Sequence, residues 1–396
     1  MLAATVRVTR DLDAAEEAVQ DAYVQALRTW ERDGVPTRPG AWLTTVARRR
    51  ALNALRSRRT LQTKLPLLVE PADAAPADLG TDGDEDAVPD DRLRLIFTCC
   101  HPALAPEAQV ALTLRLVCGV ATADVAHAFL VSEPTMAARI TRAKKKIAAA
   151  RIPYAVPAAD ELPERLDAAL TVVYLLHAAG HSAPSGDALV RDELTGRALH
   201  LARTLRALLP DQPEAAGLLA LLLTHEARRA TRTDAAGGAV PLDAQDRSAW
   251  DRRLIAEADA LIVGALRAAA PGRFALQAAI AALHAQAPSA EATDWPQIVA
   301  LYDELLRVWP SPVVALNRAV AVAEVDGPAA ALAEVEALER DGRLAGYRYL
   351  PATKAALLVR LGRAAEAADA YRAALALTEN TAEQALLEAR LRTADG

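Results

Sequence analysis

The sequence predicts an all-α protein with more than one domain. Hydrophobic residues make up 52% of the 396 residues but aromatic residues only 4%. The strong helix formers Ala, Leu, Arg and Glu dominate, and the β-branched runs that would indicate a sheet are missing. Because one domain usually takes about 100–200 residues, this length predicts two or three domains.

Charge divides the front of the chain into three stretches. Residues 37–65 hold eight basic and no acidic side chains, residues 66–91 hold nine acidic and no basic ones, and residues 92–151 hold nine basic against three acidic ones. The whole chain carries a net charge of −6. We therefore expect the front, rather than the remainder, to meet a polyanion such as nucleic acid.

Helical periodicity defines the first two elements. Apolar positions between Leu12 and Trp30, with Tyr23 and Leu27 among them, recur at helical spacing opposite an acidic face. A turn rich in Gly and Pro follows at 33–40, and a second helix with an arginine-rich outer face is expected at 41–55. In that helix Trp42 fits either a core position or a platform that stacks on an unpaired base.

Residues 66–91 are predicted to be an acidic linker, because four prolines and nine carboxylates leave too little apolar surface to bury. Short helices are expected after it, at 93–100 and 106–117. A helix-turn-helix follows at 122–150, with Ser132 as the N-cap of its second helix and Pro134 in the first turn of that helix.

In a helix-turn-helix, the N-terminal residues of the second helix meet base edges and later basic groups meet phosphates. The side chains expected at base edges are Glu133, Thr135, Met136 and Arg139. Those expected near phosphates are Arg142, Lys144 and Lys145. A single basic stripe fits a solvated helix face equally well, but two stripes that flank an acidic segment favour nucleic acid.

The remainder, from Pro153 on, is patterned as helices broken by Gly and Pro. Near its end, small and aromatic residues match a tetratricopeptide (TPR) unit, and Asp326-Gly327 echoes this unit about one 34-residue period earlier. The matching positions are Leu361, Gly362, Ala367, Tyr371, Ala374 and Leu375. This pattern predicts a TPR-like helical-repeat domain.

Two groups of residues were weighed as metal sites, and neither carries a prediction. The first is a cysteine and histidine set in which Cys99 and Cys100 are adjacent, which departs from the spacing of common zinc sites. Its members are Cys99, Cys100, His101, Cys118 and His127. The second is His177 with His181, one helical turn apart as in zinc peptidases, but Ala178 occupies the position of the required glutamate and Gly180 is expected to interrupt the helix.

No Gly-rich phosphate loop and no nucleophile elbow is found, so we expect no metal, no cofactor and no enzymatic activity. No apolar stretch approaches the roughly 20 residues that span a bilayer, and Met1 to Arg10 lack the apolar core of a signal peptide. We therefore expect a cytoplasmic protein that does not contact a membrane.

The first 151 residues resemble the extracytoplasmic-function (ECF) sigma factors, which keep only regions two and four of the larger sigma factors. DLDAAEEAVQDAYVQAL resembles the region-two helix that docks on the clamp helices of the RNA polymerase β′ subunit. This resemblance implies that role for Glu17, Gln20 and Asp21. RPGAWLTTVARRRALNALR resembles the segment that melts and reads the −10 promoter element as a single strand.

The −10 residues implied by the resemblance are Trp42, Arg48, Arg49, Asn53 and Arg56. Arg49 stands where Asn is usual and Asn53 where Asp is usual, which implies an altered −10 preference. ALTLRLVCGVATADVAHAFLVSEPTMAARITRAKKKI is similar to region four, which reads the −35 element in the major groove and contacts the β flap of the polymerase.

The segments FTCCHPAL, LLLTHEARRATR, TDWPQIVALYDELL and SPVVALNRAVAVAE resemble the ECF subgroup that carries a C-terminal TPR-like extension. In that subgroup the extension acts as a built-in regulatory or interaction domain, which implies a protein or peptide partner. The expected domains are region two at 1–65, short at its N-terminus, the linker at 66–91, region four at 92–152 and the extension at 153–396.

Three alternatives stay open. The main one is a one-component regulator, in which a single helix-turn-helix is fused to a helical sensor domain and binds duplex DNA without polymerase. It leaves the basic helix at 41–55 and the acidic linker unexplained. The others are a TPR scaffold that is localised by its basic front, and a metal-dependent hydrolase built on His177 and His181.

Overall fold

The computed structural model describes residues 1–64, 88–129, 131–158, 160–183, 185–268 and 270–395. These ranges hold 18 α-helices and one pair of two-residue strands, which confirms the predicted all-α fold. The chain divides into two compact units, Met1–Val172 and Val173–Gly396. None of the described helices is both long enough and apolar enough to span a membrane.

The first unit contains seven complete helices and the start of an eighth. The helices are α1 (Leu2–Thr9), α2 (Leu12–Asp33), α3 (Pro39–Lys64), α4 (Val88–Cys99), α5 (Pro106–Leu116), α6 (Thr122–Ala128), α7 (Glu133–Ala149) and α8 (Leu162–His181). Residues 66–87 of the predicted acidic linker (66–91) lie outside the described residues. The last four residues of that predicted linker belong to α4, which begins at Val88.

The second unit consists of ten further helices and two short strands. The helices are α9 (Asp192–Leu208), α10 (Pro213–Ala227), α11 (Arg252–Ala268), α12 (Arg273–Gln286), α13 (Trp295–Val308), α14 (Pro312–Val325), α15 (Pro328–Asp341), α16 (Tyr349–Arg360), α17 (Ala364–Ala376) and α18 (Thr381–Asp395). The strands β1 (Ser185–Gly186) and β2 (Glu379–Asn380) pair in parallel.

A stripe of small residues packs α2 against α3. The stripe on α2 is Ala15, Ala18, Ala22 and Ala26, each at most 5% exposed. Small side chains let the two helices approach closely, so the distance between the helix axes is short. Tyr23 and Leu27 each lie one residue beyond this stripe, about 100° around the helix, and they are 51% and 76% exposed. Their predicted place on the buried face was therefore wrong.

A buried aspartate and a tyrosine join α1 to α4. The carboxylate of Asp91 lies 3.2 Å from Arg94 and 3.5 Å from Arg7 of α1. The hydroxyl oxygen of Tyr154 lies 2.8 Å from the carbonyl oxygen of Ala3 and 2.7 Å from that of Asp91. Because the chain after α7 packs here, the first unit continues past residue 152, the end predicted for region four, to Val172.

The helix-turn-helix is confirmed as α6 and α7. The hydroxyl of Ser132 accepts a hydrogen bond from the backbone N–H of Thr135 (3.4 Å), and Pro134 lies in the first turn of α7. The inner face of α7 repeats at helical spacing and is at most 7% exposed. Its members are Met136, Ile140, Ala143 and Ile147.

The second unit fits a TPR-like helical repeat, because each helix from α9 to α18 contacts the next one in sequence. Gly327 and Gly362 adopt left-handed φ values of +89° and +71° at the turns before α15 and α17. Ala367, Tyr371 and Ala374 of the predicted repeat are buried in one apolar cluster.

Gly180 does not interrupt α8, contrary to the sequence-based expectation. A Cβ atom at this position would lie 2.8 Å from the Cβ of Leu194 and 2.8 Å from the backbone nitrogen of Thr195. The glycine therefore permits the close approach of the first turn of α9, and it is not a helix break.

Two glycines in the second unit give opposite predictions for substitution by alanine. A Cβ on Gly217 of α10 would lie 2.5 Å from the backbone nitrogen of Ala275 in α12, whereas nothing lies within 4 Å of one on Gly264 of α11. We expect Gly217→Ala to lower the free energy of unfolding by about 1–3 kcal/mol through overpacking. Gly264→Ala should raise it by about 0.5–1 kcal/mol through helix propensity. Urea unfolding of the full chain measures both, and changes of the same sign would contradict this account.

Candidate nucleic-acid interface

The −10 candidates share one face of α3. Trp42, Arg49, Asn53 and Arg56 are separated by seven, four and three residues, which places them on the same side of a helix. Arg49, Asn53 and Arg56 are exposed, and the half-buried Arg48 lies one position aside. The structure therefore brings four of the five predicted residues together in a basic stripe.

Trp42 is positioned by the core. Its ring centroid lies 5.4 Å from that of Trp30 at an interplanar angle of 58°, and both rings pack against the buried cluster between α2 and α3. The side chain is half-buried, so the ring sits at the edge of this core. A packed and oriented aromatic ring at the end of a basic stripe suits a base-stacking platform, which stays a prediction.

The polymerase-docking candidates lie on a different helix and form an exposed face of α2. Glu17, Gln20 and Asp21 are exposed, and the carboxylate of Asp21 accepts a hydrogen bond from Arg50 (2.9 Å). The same face continues along the helix through Val24 and Leu27, which are 45% and 76% exposed. Sequence reasoning missed these two residues as surface groups, although their spacing of four and seven residues from Gln20 was visible.

We name this face the α2 docking face, defined by Glu17, Gln20, Asp21, Val24 and Leu27. It combines acidic and amide groups with exposed aliphatic side chains. Carboxylates repel DNA phosphates, whereas a mixed polar and apolar patch is typical of a surface that meets another protein.

The −35 candidates divide into exposed and buried groups on α7. Glu133, Thr135, Arg142 and Lys145 are exposed. Arg139 is half-buried, with its guanidinium carbon 5.8 Å from the centroid of the Phe129 ring. Such a contact fixes the orientation of an arginine while leaving its N–H groups free to reach a base.

Met136 is wrongly assigned to base readout. It is 0% exposed and lies on the inner face of α7, where it packs among the apolar side chains of the first unit. Because that face repeats at positions 136, 140, 143 and 147, Met136 fills the core position of the first repeat. The readout set on this helix is therefore reduced to Glu133, Thr135 and Arg139.

Lys144 lies in an ion-pair cluster that connects α7 to α2. Its ammonium nitrogen is 3.1 Å from the carboxylate of Asp13 and also contacts the carboxylate of Glu16. Burial lowers the pKa of Lys144, but pairing with Glu16 and Asp13 outweighs burial and raises the pKa above its ordinary value. This stabilisation is present at neutral pH and is lost only as pH rises through the raised pKa. In this arrangement the ammonium group faces carboxylates instead of phosphates.

The cysteine set weighed as a metal site consists of buried thiols. Cys99, Cys100 and Cys118 are all buried and unbridged, and burial raises the pKa of Cys100 to about 12. The side chain of His127 lies outside the described residues. Within the part of the chain that the structure describes, the group of three residues that could hold a metal ion is His177, His181 and His225. His225 comes from α10, so no spacing in the sequence linked it to the other two.

Comparison with known proteins finds three family models along the chain. Residues 2–60 match the family model Sigma-70 region 2, residues 94–147 match Sigma-70, region 4, and residues 165–266 match a family of unknown function, DUF6596. Uncharacterized protein R00370 of Rhizobium meliloti (strain 1021) is 46% identical over 392 residues, which cover 98% of this chain and 92% of that protein. No solved structure matches the chain significantly.

Regions 2 and 4 together define a sigma-70-type factor, the class of RNA polymerase subunit that binds core enzyme and promoter DNA. The chain belongs to this family, shares a family with the Rhizobium protein along almost its whole length, and carries a DUF6596 domain behind its sigma regions.

The ion-pair cluster predicts a measurable energetic coupling between α2 and α7. In a double-mutant cycle with Lys144→Ala and Glu16→Ala, we expect a coupling free energy of about 0.5–3 kcal/mol, because the two side chains are in direct contact and partly shielded from water. The control cycle pairs Glu16→Ala with Lys145→Ala. The side chain of Lys145 is exposed. There we expect additivity within about 0.3–0.5 kcal/mol. Additivity in both cycles by urea unfolding would show that Lys144 does not connect the helices.

Proposed function

We propose that this sigma-70-type factor is of the ECF type and acts as a promoter-specificity subunit. It binds core RNA polymerase, opens the −10 element, and recognises the −35 element. The C-terminal unit then serves as a built-in regulatory or interaction module with a protein or peptide partner. The observation that carries the proposal is that the first unit presents three surfaces of different chemistry: the α2 docking face, the basic stripe of α3 and the exposed N-terminus of α7.

The α2 docking face supports contact with the clamp helices of the β′ subunit. Leu27, at 76% exposed, leaves a large apolar side chain in water in the free chain. Burying it against another protein recovers hydrophobic free energy that a nucleic acid partner would not supply. The neighbouring Glu17 and Asp21 then set orientation and exclude DNA from this face.

The basic stripe of α3 supports binding of the opened −10 strand. Arg49 and Arg56 neutralise phosphates, the amide of Asn53 between them can donate to and accept from a base edge, and Trp42 stacks on an unpaired base. Because the stripe lies on a helix, the spacing of its side chains is fixed before DNA binds.

The exposed N-terminal part of α7 supports −35 recognition in the major groove. Glu133 and Thr135 lie in its first turn, Arg139 follows one turn later, and Arg142 and Lys145 lie where phosphates would pass. We assign contact with the β flap of the polymerase to the same helix-turn-helix module.

Simultaneous binding of both elements requires the first unit to open. The −10 and −35 elements are about 25 base pairs apart by their positions, or roughly 85 Å at 3.4 Å per base pair. In the described conformation α7 contacts α2 through Lys144, Asp13 and Glu16. We infer that these ion pairs, together with the contacts of Arg7 with Asp91 and of Ala3 with Tyr154, break on promoter binding. Lys144 then becomes available for a phosphate.

The docking proposal predicts loss of core binding when the α2 face is altered. We expect a Glu17→Ala, Gln20→Ala, Asp21→Ala triple variant, and separately Leu27→Asp, to weaken co-purification with core RNA polymerase at least about ten-fold, since each removes contacts worth more than about 1.4 kcal/mol. Glu388→Ala, an exposed carboxylate on α18, is the control and should bind normally. If no form binds core polymerase while the chain still shifts duplex DNA, the one-component regulator replaces this proposal.

The readout proposal predicts different behaviour for two cations of α7. Arg139→Ala should weaken binding to a −35 element by about 1–3 kcal/mol if the arginine makes a bidentate contact with a base, and binding to unrelated DNA should change far less. Lys145→Ala should weaken both equally and reduce the salt dependence. Fluorescence anisotropy at several salt concentrations separates the two effects. A loss below about 0.3 kcal/mol for Arg139→Ala, too small for such a contact, would remove it from the readout set.

A further inference from the structure

A cavity of about 340 Å³ lies inside the second unit. Its walls come from the end of α8, the loops between α10 and α11, the start of α16, and α18. This volume falls within the range of pockets that hold small molecules, about 300–1,000 Å³. The proposed contacts with polymerase and promoter make no use of it.

The wall of the cavity carries an excess of positive charge. Its charged side chains are Arg228, Arg232, Arg348, Arg390 and Glu383. Glu383 is already engaged, because its carboxylate lies 2.7 Å from Nε of Arg348 and accepts a hydrogen bond from the Tyr349 hydroxyl (2.6 Å). Within the described ranges no salt bridge joins Arg228 or Arg232 to a carboxylate.

Among these residues, Arg228 gives the strongest indication that the cavity holds an anion. It is only 9% exposed, and its Nε is buried without a hydrogen-bond acceptor in the part of the chain that is described. Its guanidinium carbon lies 5.8 Å from the centroid of the Trp250 ring. Burial, followed by the nearby Arg232 and Arg247, lowers the pKa of Arg228 to about 10, so the group stays charged at neutral pH. A buried cation without a partner is costly, and an anion held in the cavity would offset that cost.

A cluster of three histidines reaches the cavity through one member, His181, which lines its wall. The ring centroids of His177, His181 and His225 lie 4.6–5.3 Å apart. Burial, then nearby Arg232, lowers the pKa of His177 to about 3, and burial lowers the pKa of the other two well below the ordinary value. All three are therefore neutral at neutral pH, and each offers one N–H donor. Nδ1 of His225 is buried and has no partner among the described residues.

The charge around the three histidines favours an anion over a metal cation at this end of the cavity. The nitrogen atoms of the three histidines lie within 4.8 Å of one another, a spacing that a metal ion could draw together. However, Arg232 acts electrostatically on all three rings and Arg228 on two of them, and the cluster contains no carboxylate. A divalent cation would be repelled by this field, whereas an anion would be attracted to it.

Much of the remaining wall of the cavity is apolar. Its aliphatic members include Leu189, Leu242, Ala352, Leu386 and Leu387. We propose that this cavity binds a small organic anion, whose carboxylate or phosphate group lies against Arg228 and Arg232 and whose apolar part lies against Leu386 and Leu387. Guanidinium groups match the geometry of both head groups, and the apolar wall favours a ligand with a hydrocarbon body.

Isothermal titration calorimetry of the full chain tests the proposal with four probes of equal carbon number. Hexanoate and hexyl phosphate carry the two candidate head groups, and hexylamine and hexanol are the cationic and neutral controls. We expect one-to-one binding of at least one of the two anions and no binding of either control. The anion that binds more tightly identifies the head group. This test requires neither polymerase nor promoter, so its result is independent of the sigma assignment.

Matched arginine variants locate the binding. Arg232→Gln should weaken binding of the better anion at least about ten-fold, since it removes a charged hydrogen bond. Arg390→Gln, on the same cavity wall, is the second variant and should weaken it as well. Arg267→Gln, an exposed arginine of α11, should leave the affinity unchanged.

Three outcomes would overturn the proposal. One is that neither anion binds at about 10 mM, a concentration that reveals even weak millimolar sites. The second is unchanged affinity in both cavity variants. The third is stoichiometric binding of Zn²⁺ to the metal-stripped chain that His225→Ala abolishes, because a cation would then occupy the polar end of the cavity.

Discussion

The ion pairs of Lys144 with Asp13 and Glu16 link the two sigma regions within the first unit. They connect the helix-turn-helix to α2, the helix that bears the docking face, while Tyr154 and Asp91 hold the start of the chain against α4. A basic side chain on the helix that we propose reads DNA is thereby paired with carboxylates of the chain itself. Carboxylates and phosphates compete for the same ammonium group, so promoter DNA can replace the internal contact at modest net cost.

The competition between carboxylates and phosphates gives a physical reason for placing acidic residues of α2 opposite a basic residue of α7. A contact made of exposed and half-buried ion pairs is weakened by salt and by competing anions far more easily than an apolar interface would be. The 23 residues of the segment 65–87 can reach at most about 75–83 Å when fully extended. That reach is comparable to the spacing of the two promoter elements, so the length of the chain between the modules permits their separation.

The second unit buries several polar atoms that have no hydrogen-bond partner among the described residues. Arg228, with its unsatisfied Nε, and the neutral His225 lie where helices of the repeat converge. A fold selected only for stability would replace such groups by apolar ones of similar size. Their presence in a largely apolar core supports the proposed site for a ligand.

Local pattern predicted most of the architecture, because helix spacing, the Ser132 cap and the TPR-like positions are properties of neighbouring residues. The errors arose where tertiary packing decides. Met136 and Leu27 are both apolar residues on amphipathic helices, yet the first is buried and the second exposed, because the width of each buried face depends on the partner helix. His225 and Arg228 lie more than 40 residues from His181 in sequence, and only the fold brings them together.

Run-off transcription with core RNA polymerase tests the central claim most directly. A pool of genomic fragments is transcribed by core enzyme alone, with the full chain, and with the variant in which Glu17, Gln20 and Asp21 are replaced by alanine. The account predicts transcripts with defined 5′ ends that require the full chain, share −10 and −35 sequences, and disappear with the variant. Transcripts no different from those of core enzyme alone, with a folded chain that binds the same DNA, would contradict it.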